Sequence, residues 1–213
     1  FFMDLGLPEE KLRFHDHDKL VFYASAACDI EYKFPFGFGE INGTHDRTNY
    51  DLSQHQEYSG KSMEYLDPET NEKYIPYVVE STVGLDRTVL AVLCEAYDEE
   101  TLDDGSTREV MRLKPYLAPY KVAVLPLVKK FHKEKAEEIY RMLSKHFMCT
   151  YDETGNIGKR YRREDAIGTP FCITIDDETI NNGVVTVRDR DTMAQITLNV
   201  DEIVDYINDE IEF

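Results

Sequence analysis

The sequence is short of four things, and each shortage narrows the field. It has only four cysteines, Cys28, Cys94, Cys149 and Cys172, scattered with no CxxC pair and no neighbouring histidine cluster at metal spacing. A disulfide framework and a zinc site are thereby disfavoured, and reduced thiols in a cytoplasmic protein are expected. No apolar run approaches the ~20 residues that cross a bilayer, so no membrane partner is expected. The first residues, Phe1-Phe2-Met3-Asp4, are neither a signal peptide nor a natural start, which suggests the C-terminal part of something longer. Positive charge is scarce too: 24 Lys and Arg stand against 42 Asp and Glu, a net charge of −18. That balance argues against broad, nonspecific nucleic-acid binding, and DNA is not an expected partner.

What is present fits a soluble globular protein, with 42% hydrophobic and 31% charged residues. A chain of 213 residues holds one large or two modest domains. Leu113–Tyr120 carries two prolines and reads as the linker, giving domains 1–115 and 116–213. The charge is uneven across it. Residues 1–117 carry 24 acidic and 11 basic side chains, and residues 118–213 carry 18 and 13. Lys129-Lys130, Lys133, Lys135 and the run Lys159-Arg160, Arg162-Arg163 are local basic clusters. They read either as solvated helix surface or as a specific nucleic-acid contact.

Local patterns place the elements. Pro8–Leu12 looks like a helix start, with Pro in the first turn and acids after it. The run His15-Asp16-His17-Asp18 offers possible metal ligands, but a solvated turn is the expectation. Cys28–Phe34 alternates with period two and reads as a strand. A turn at Gly37–Gly39 leads into Glu40, and a surface hairpin is expected over 58–76. Tyr97–Thr107 is acidic and reads as a mobile loop. Beyond the linker, strands at 121–127, 149–152, 171–175, 184–188 and 194–199 are interleaved with helices at 134–147, 156–167 and 200–210, with a turn at 181–183. That alternation suggests an α/β domain with a mixed sheet.

Two stretches carry candidate chemistry. Tyr77–Tyr97 opens on a β-branched run, Tyr77-Val78-Val79, followed by Glu80, Ser81 and Thr82. Gly84 supplies a turn, and a helix follows with Arg87 in its first turn and Val89, Leu90, Leu93 and Ala96 on one face. Glu80 and Arg87 read either as a structural ion pair between core elements or as two sides of a site. In Phe34–Glu57, Gly37, Gly39 and Gly43 let backbone approach a ligand closely, and Glu40 lies between them. Glu40 suits an acid reaching a metal or polar substrate, or an exposed hairpin residue. No nucleophile–base pair stands out.

Three stretches together resemble one family, the bacterial branch of the homodimeric class II glycyl-tRNA synthetases. They are FGFGEINGTHDRTNYDLSQHQ, YVVESTVGLDRTVLAVL, and YKVAVLPL with VTVRDRDTMAQITL. The second resembles the third class II motif, and the last pair resembles the class IIa anticodon-binding domain. The resemblance covers essentially the whole chain. It implies an α/β (α+β) fold class: the C-terminal part of an antiparallel-sheet catalytic domain, then a mixed-sheet α/β anticodon-binding domain. The first and second motifs of the family are missing.

The resemblance also implies roles. Arg87 matches the arginine that contacts the terminal phosphate of ATP, a role that a guanidinium near a helix N-terminus suits. Glu40, with Ile41 beside it, matches the acid that meets ATP, directly or through Mg²⁺. Gly84, Leu85 and Asp86 match the turn along which the nucleotide lies. Glu80 matches the acid for the substrate ammonium, with Ser81, Thr82, Val83 and Gly84 around the same glycine pocket. Thr82 stands where the family commonly has serine, which narrows that pocket while keeping the hydroxyl. Lys159, Arg160 and Arg188 are the candidate tRNA contacts. The implied reaction is glycine–tRNA ligation: ATP activates glycine to its adenylate, and tRNA(Gly) accepts it. ATP is a substrate, Mg²⁺ the cofactor, and a homodimer the full-length assembly. The chain alone is expected to be catalytically incomplete. Two other readings remain: a stand-alone RNA-binding module, or a synthetase-like paralogue without ligase activity.

Overall fold

The computed structural model describes residues 1–212. They form two compact units, residues 7–94 and residues 1–6 with 95–212.

The first unit is built on an antiparallel sheet. Its elements are β1 (Leu12–Asp16), β2 (Ala26–Phe34), β3 (Gly37–Asp46), α1 (Tyr50–Ser59), the short pair β4 (Tyr65–Leu66) and β5 (Lys73–Tyr74), β6 (Val79–Val83) and α2 (Leu85–Ala96). The strand order of the main sheet is β1-β2-β3-β6. The expected helix at Pro8 is only a single 3-10 turn, Glu9–Lys11, after which the chain extends. His15 and Asp16 then lie in β1, paired with β2, rather than in a solvated turn. Histidine and aspartate are poor strand formers by themselves, but the cross-strand partners described below hold them extended.

The β2–β3 hairpin closes at Pro35-Phe36, with Phe34 opposite Gly37, so Gly37 and Gly39 belong to the strand. β6 begins at Val79, two residues later than the apolar run suggests. Its register explains this, because Val79–Val83 pairs with Asn42–Asp46 and β3 ends there. Glu80, Ser81 and Thr82 are therefore strand residues, and their side chains alternate between faces.

In the second unit, β7 (Tyr97–Thr101) and β8 (Thr107–Met111) form a hairpin where the acidic run suggested a mobile loop. The acids are matched across it. Arg112 Nε donates to Asp98 Oδ2 at 2.9 Å, and Arg108 Nε donates to Glu100 Oε2 at 2.6 Å. Next come β9 (Val122–Pro126), α3 (Lys129–Leu143), β10 (Cys149–Tyr151), α4 (Ile157–Ile167), β11 (Phe171–Ile175), α5 (Asp177–Asn182), β12 (Val184–Asp189), β13 (Gln195–Asn199) and α6 (Ile203–Glu210). The sheet order is β10-β9-β11-β12-β13, mixed as expected. β10, β9 and β11 run parallel, and β12 and β13 are antiparallel.

β9 and β11 are buried along their full length, which is why both read as continuous apolar runs. On one face Val122, Val124, Phe171, Ile173 and Ile175 pack with Ala136, Ile139, Leu143, Ile203 and Ile207. On the other, Ala123, Leu125 and Cys172 lie under Ile157 and Tyr161 of α4. The turn expected at Asn181–Gly183 is the end of α5, whose C-cap is Gly183 in the left-handed region. A buried polar cluster sits beside α4. Asp165, fully buried, accepts from Arg188 through both oxygens at 2.8 and 3.0 Å and from Arg108 at 3.2 Å.

Candidate active-site face

The pleat sorts the first sheet into two faces. In register, His15 lies opposite Asp29, Arg13 opposite Glu31, His45 opposite Glu80 and Gly43 opposite Thr82. These residues share one polar face. Asp29 and Glu31 are nearly buried in it, at 6% and 9% exposure. Each is partnered: His17 Nε2 lies 2.7 Å from Asp29 Oδ2, and His15 Nδ1 lies 2.9 Å from Glu31 Oε1. Arg13 Nε donates to the other Glu31 oxygen at 2.6 Å. Burial alone raises the Glu31 pKa, but the bonds from Arg13 and His15 outweigh it and hold the carboxyl below its ordinary range.

A bulge brings Glu40 to this face. Ile30 pairs with Asn42, yet Glu31 pairs with Glu40, so Ile41 is the extra residue in β3. In a regular ladder that paired Ile41 with Glu31, strand parity would turn Glu40 to the opposite side from Gly43. Instead, a Cβ built on Gly43 would lie 3.3 Å from Glu40 Oε1, Asp29 Oδ1 and His45 Cε1 alike. Glycine at 43 is what lets these three polar side chains converge.

Arg87 reaches Glu40 from the first turn of α2. Its Nη1 donates to the Glu40 carbonyl at 2.9 Å and to Oε2 at 3.4 Å. The turn between β6 and α2 is tied to the same strand, since Gly84 N donates to the Ile41 carbonyl at 2.9 Å. The result is an open cleft of about 570 Å³, lined by Glu40, Ile41, Thr82, Val83, Gly84, Leu85, Asp86 and Arg87. Both charged groups remain half-exposed, Arg87 at 59% and Glu40 at 48%. A cation and an anion thus face solvent from one wall, beside the amide groups of a helix start.

Glu80 and Arg87 do not pair with each other. Glu80 Oε2 accepts from Arg47 Nη1 at 2.6 Å. Arg47 also forks onto Asp51, with Nε and Nη2 at 2.5 and 3.0 Å, and stacks on the Tyr23 ring at 4.4 Å. The hydrogen bond from Arg47 draws the Asp51 pKa down, so both acids meet a fixed guanidinium. Glu80 and Thr82 share the polar face, but Ser81 does not. Its Oγ lies on the other side, 3.0 Å from Thr44 Oγ1 and 3.2 Å from Asn42 Nδ2. Strand alternation therefore corrects the expectation that Ser81 lines one pocket with Glu80 and Thr82. Arg47 and Asp51 lie in the stretch FGFGEINGTHDRTNYDLSQHQ, but that they meet Glu80 and Tyr23 shows only once the fold brings them together.

The basic residues of the second unit separate in the same way. Lys159 is exposed at the N-terminus of α4, its amide capped by Asn156 Oδ1 at 2.9 Å. Arg160 is 2% exposed and donates to the carbonyls of Pro126, Glu153 and Gly155. That interior role corrects its assignment as an RNA contact. Arg188 is 4% exposed, clamped by Asp165 and stacked 4.8 Å from the Tyr161 ring centroid, so its charge is likewise matched internally. It borders a cleft of about 460 Å³ lined also by the exposed Lys159 and the half-exposed Arg162.

Comparison with known proteins adds an independent line. Residues 121–210 match the anticodon binding domain family. A glycine–tRNA ligase of Clostridium tetani (strain Massachusetts / E88) is 58% identical over 215 residues, covering 100% of this chain and 46% of the relative. One from Geobacillus thermodenitrificans (strain NG80-2) is 57% identical over 213 residues, covering 99% of this chain and 46% of the relative. The chain thus spans about half the length of the relatives it matches. Among solved structures, Giardia lamblia prolyl-tRNA synthetase in complex with prolyl-adenylate aligns with TM-score 0.65 at 17% identity. That alignment covers 94% of this chain and 42% of the other, a likeness of fold.

Proposed function

The chain is a homologue, along its whole length, of the glycine–tRNA ligases, and on that premise we propose that it supplies one wall of such an active site and the anticodon-binding domain. The whole reaction is ATP-dependent formation of glycyl-adenylate, followed by transfer of glycine to tRNA(Gly). The observation that carries this reading is the cleft between β3, β6 and α2, where Arg87 and Glu40 meet at 2.9 Å beside Gly84.

In that cleft Arg87 takes an ATP phosphate, assisted by the amide groups at the start of α2. Gly84, Leu85 and Asp86 follow the nucleotide. Glu40 and the phosphates together fit Mg²⁺, which favours one or two carboxylates plus phosphate oxygens and would neutralise charge there. Glu80, on the same sheet face, receives the glycine ammonium, with Arg47 aiming its carboxylate. The Thr82 methyl narrows the pocket against larger side chains. The chain needs no covalent nucleophile for this: positioning and charge neutralisation do the work. A cytoplasmic homodimer is the assembly in which the reaction takes place.

The test is ATP–pyrophosphate exchange by a full-length ligase carrying this sequence. Arg87→Ala is expected to reduce glycine-dependent exchange by a factor on the order of 100 while the protein stays folded. Exchange at the wild-type rate would overturn the assignment. A second reading, a tRNA-binding module acting without ligation, draws on the anticodon-domain match and on Lys159 and Arg162 at one cleft. It calls for salt-dependent binding of a glycine tRNA by the present chain, in preference to an unrelated tRNA.

A further inference from the structure

The polar sheet face holds a second group of side chains that the cleft does not use. His15, His17 and Asp29 each offer one donor atom, and the three atoms lie within 4.8 Å of one another. We propose that His15, His17 and Asp29 form a binding site for one borderline divalent transition-metal ion, of the Zn²⁺ or Co²⁺ class.

The fold arranges this through simple strand geometry. His15 and Asp29 are directly opposite each other in the antiparallel β1–β2 pair. His17, just past β1, continues the ladder by donating its N–H to the Ala27 carbonyl at 3.0 Å, and its ring lies beside that of His15. The two imidazoles are nearly parallel, with ring centroids 4.9 Å apart and planes 24° apart. Asp29 Oδ2 is 2.7 Å from His17 Nε2. Donors in a tetrahedral site with ligand bonds of 2.0–2.2 Å stand about 3.3 Å apart, so this pair opens slightly on binding and the third donor closes in. Two nitrogens and one oxygen suit a borderline ion, whereas Mg²⁺ and Ca²⁺ favour all-oxygen sites.

The neighbouring groups fit the same assignment. Glu31 accepts from His15 Nδ1 at 2.9 Å, which fixes the ring and leaves its Nε2 as the ligand atom. Glu31 is itself held by Arg13 at 2.6 Å, so it orients His15 and is not a fourth ligand. The His15 and His17 side chains are 48% and 35% exposed, and the Asp29 side chain only 9%. Solvent therefore reaches the nitrogens, and a water completes the coordination. Asp29 Oδ1 points the other way, toward the Gly43–Glu40 side. The proposal does not depend on the ligase reading, because none of its three ligands is a residue of the cleft.

The test uses the present chain, stripped with a chelator and titrated with Co²⁺ while the visible d–d absorption is followed. Saturable binding of one Co²⁺ per chain is expected, undiminished by a thousandfold excess of Mg²⁺. His17→Ala and Asp29→Asn should each weaken binding at least tenfold, and Glu31→Gln about tenfold through loss of ring orientation. His15→Gln changes a half-exposed residue and should fold normally, which keeps the test decisive if a buried substitution unfolds the chain. Absence of saturable binding, or wild-type affinity retained in both His15→Gln and His17→Ala, overturns the site. A near-ultraviolet thiolate charge-transfer band would place the metal on Cys28 or Cys94, and would overturn it too.

Discussion

Arg47 aims Glu80. Its Nη1 lies 2.6 Å from Glu80 Oε2, while Asp51 and the Tyr23 ring hold the rest of the guanidinium in place. A planar fork with five donors suits this task, because it engages two carboxylates in fixed directions at once. Glu80 is therefore not a free carboxylate that happens to lie on the polar sheet face. It is oriented from the strand end by a residue 33 positions earlier in the chain.

With Glu80 in its proposed role as the acid for the glycine ammonium, the consequence is a specific effect on one substrate. In a full-length ligase carrying this sequence, Arg47→Ala should raise KM for glycine by roughly tenfold, with a much smaller change for ATP. Arg47→Lys should recover little, since an ammonium cannot bridge both acids in the same geometry. Steady-state exchange kinetics check this. Equal changes in both KM values would mean that Arg47 merely supports the fold.

Asp165 supports a different prediction, about stability. It is fully buried and shared by the buried guanidiniums of Arg188 and Arg108. Asp165→Ala leaves two buried cations without their common partner. The expected loss is about 3–5 kcal/mol, read from urea unfolding of the chain. Arg162→Ala is the control. Its contact with Asp165 is 3.6 Å long and its side chain is 40% exposed, so little change is expected.

Two glycines make a matched comparison. Gly168 and Gly183 both end helices in the left-handed region, at φ +85 and +68. A Cβ at 183 would meet nothing within 4 Å, whereas one at 168 would meet the Met111 carbonyl oxygen at 3.0 Å. Gly183→Ala should cost about 1 kcal/mol, the conformational penalty alone. Gly168→Ala should cost at least about 1 kcal/mol more, because β8 has to move. Thermal unfolding of the two variants side by side separates the terms. Equal shifts would show that the contact yields freely.

Much of this architecture is legible in the sequence, and its failures share a cause. The apolar runs at Val122–Pro126 and Phe171–Ile175 announce buried strands, because burial on both faces leaves no room for polar residues. Gly84 before Leu85 marks the β6–α2 turn, and Arg87 follows in the first helical turn. What stays hidden depends on partners distant in sequence. Acids at Asp98 and Glu100 look like loop residues until Arg112 and Arg108 face them. Arg160 and Arg188 look like surface cations until their internal acceptors are known. The histidines at 15 and 17 look solvated until β2 brings Asp29 and Glu31 alongside. Local pattern reports hydrophobic burial well, but it does not report which charges are matched.

The extra residue at Ile41 makes the placement of Glu40 a matter of counting rather than of chemistry. Any side chain at 41 that tolerates the interior preserves the parity of β3. Ironing out the bulge so that Ile41 paired with Glu31 would instead send the Glu40 carboxylate through the sheet to the opposite surface, with every residue type at the cleft unchanged. What the cleft depends on is thus the irregularity itself, and a β3 that lost its bulge while keeping its length would lose its acid.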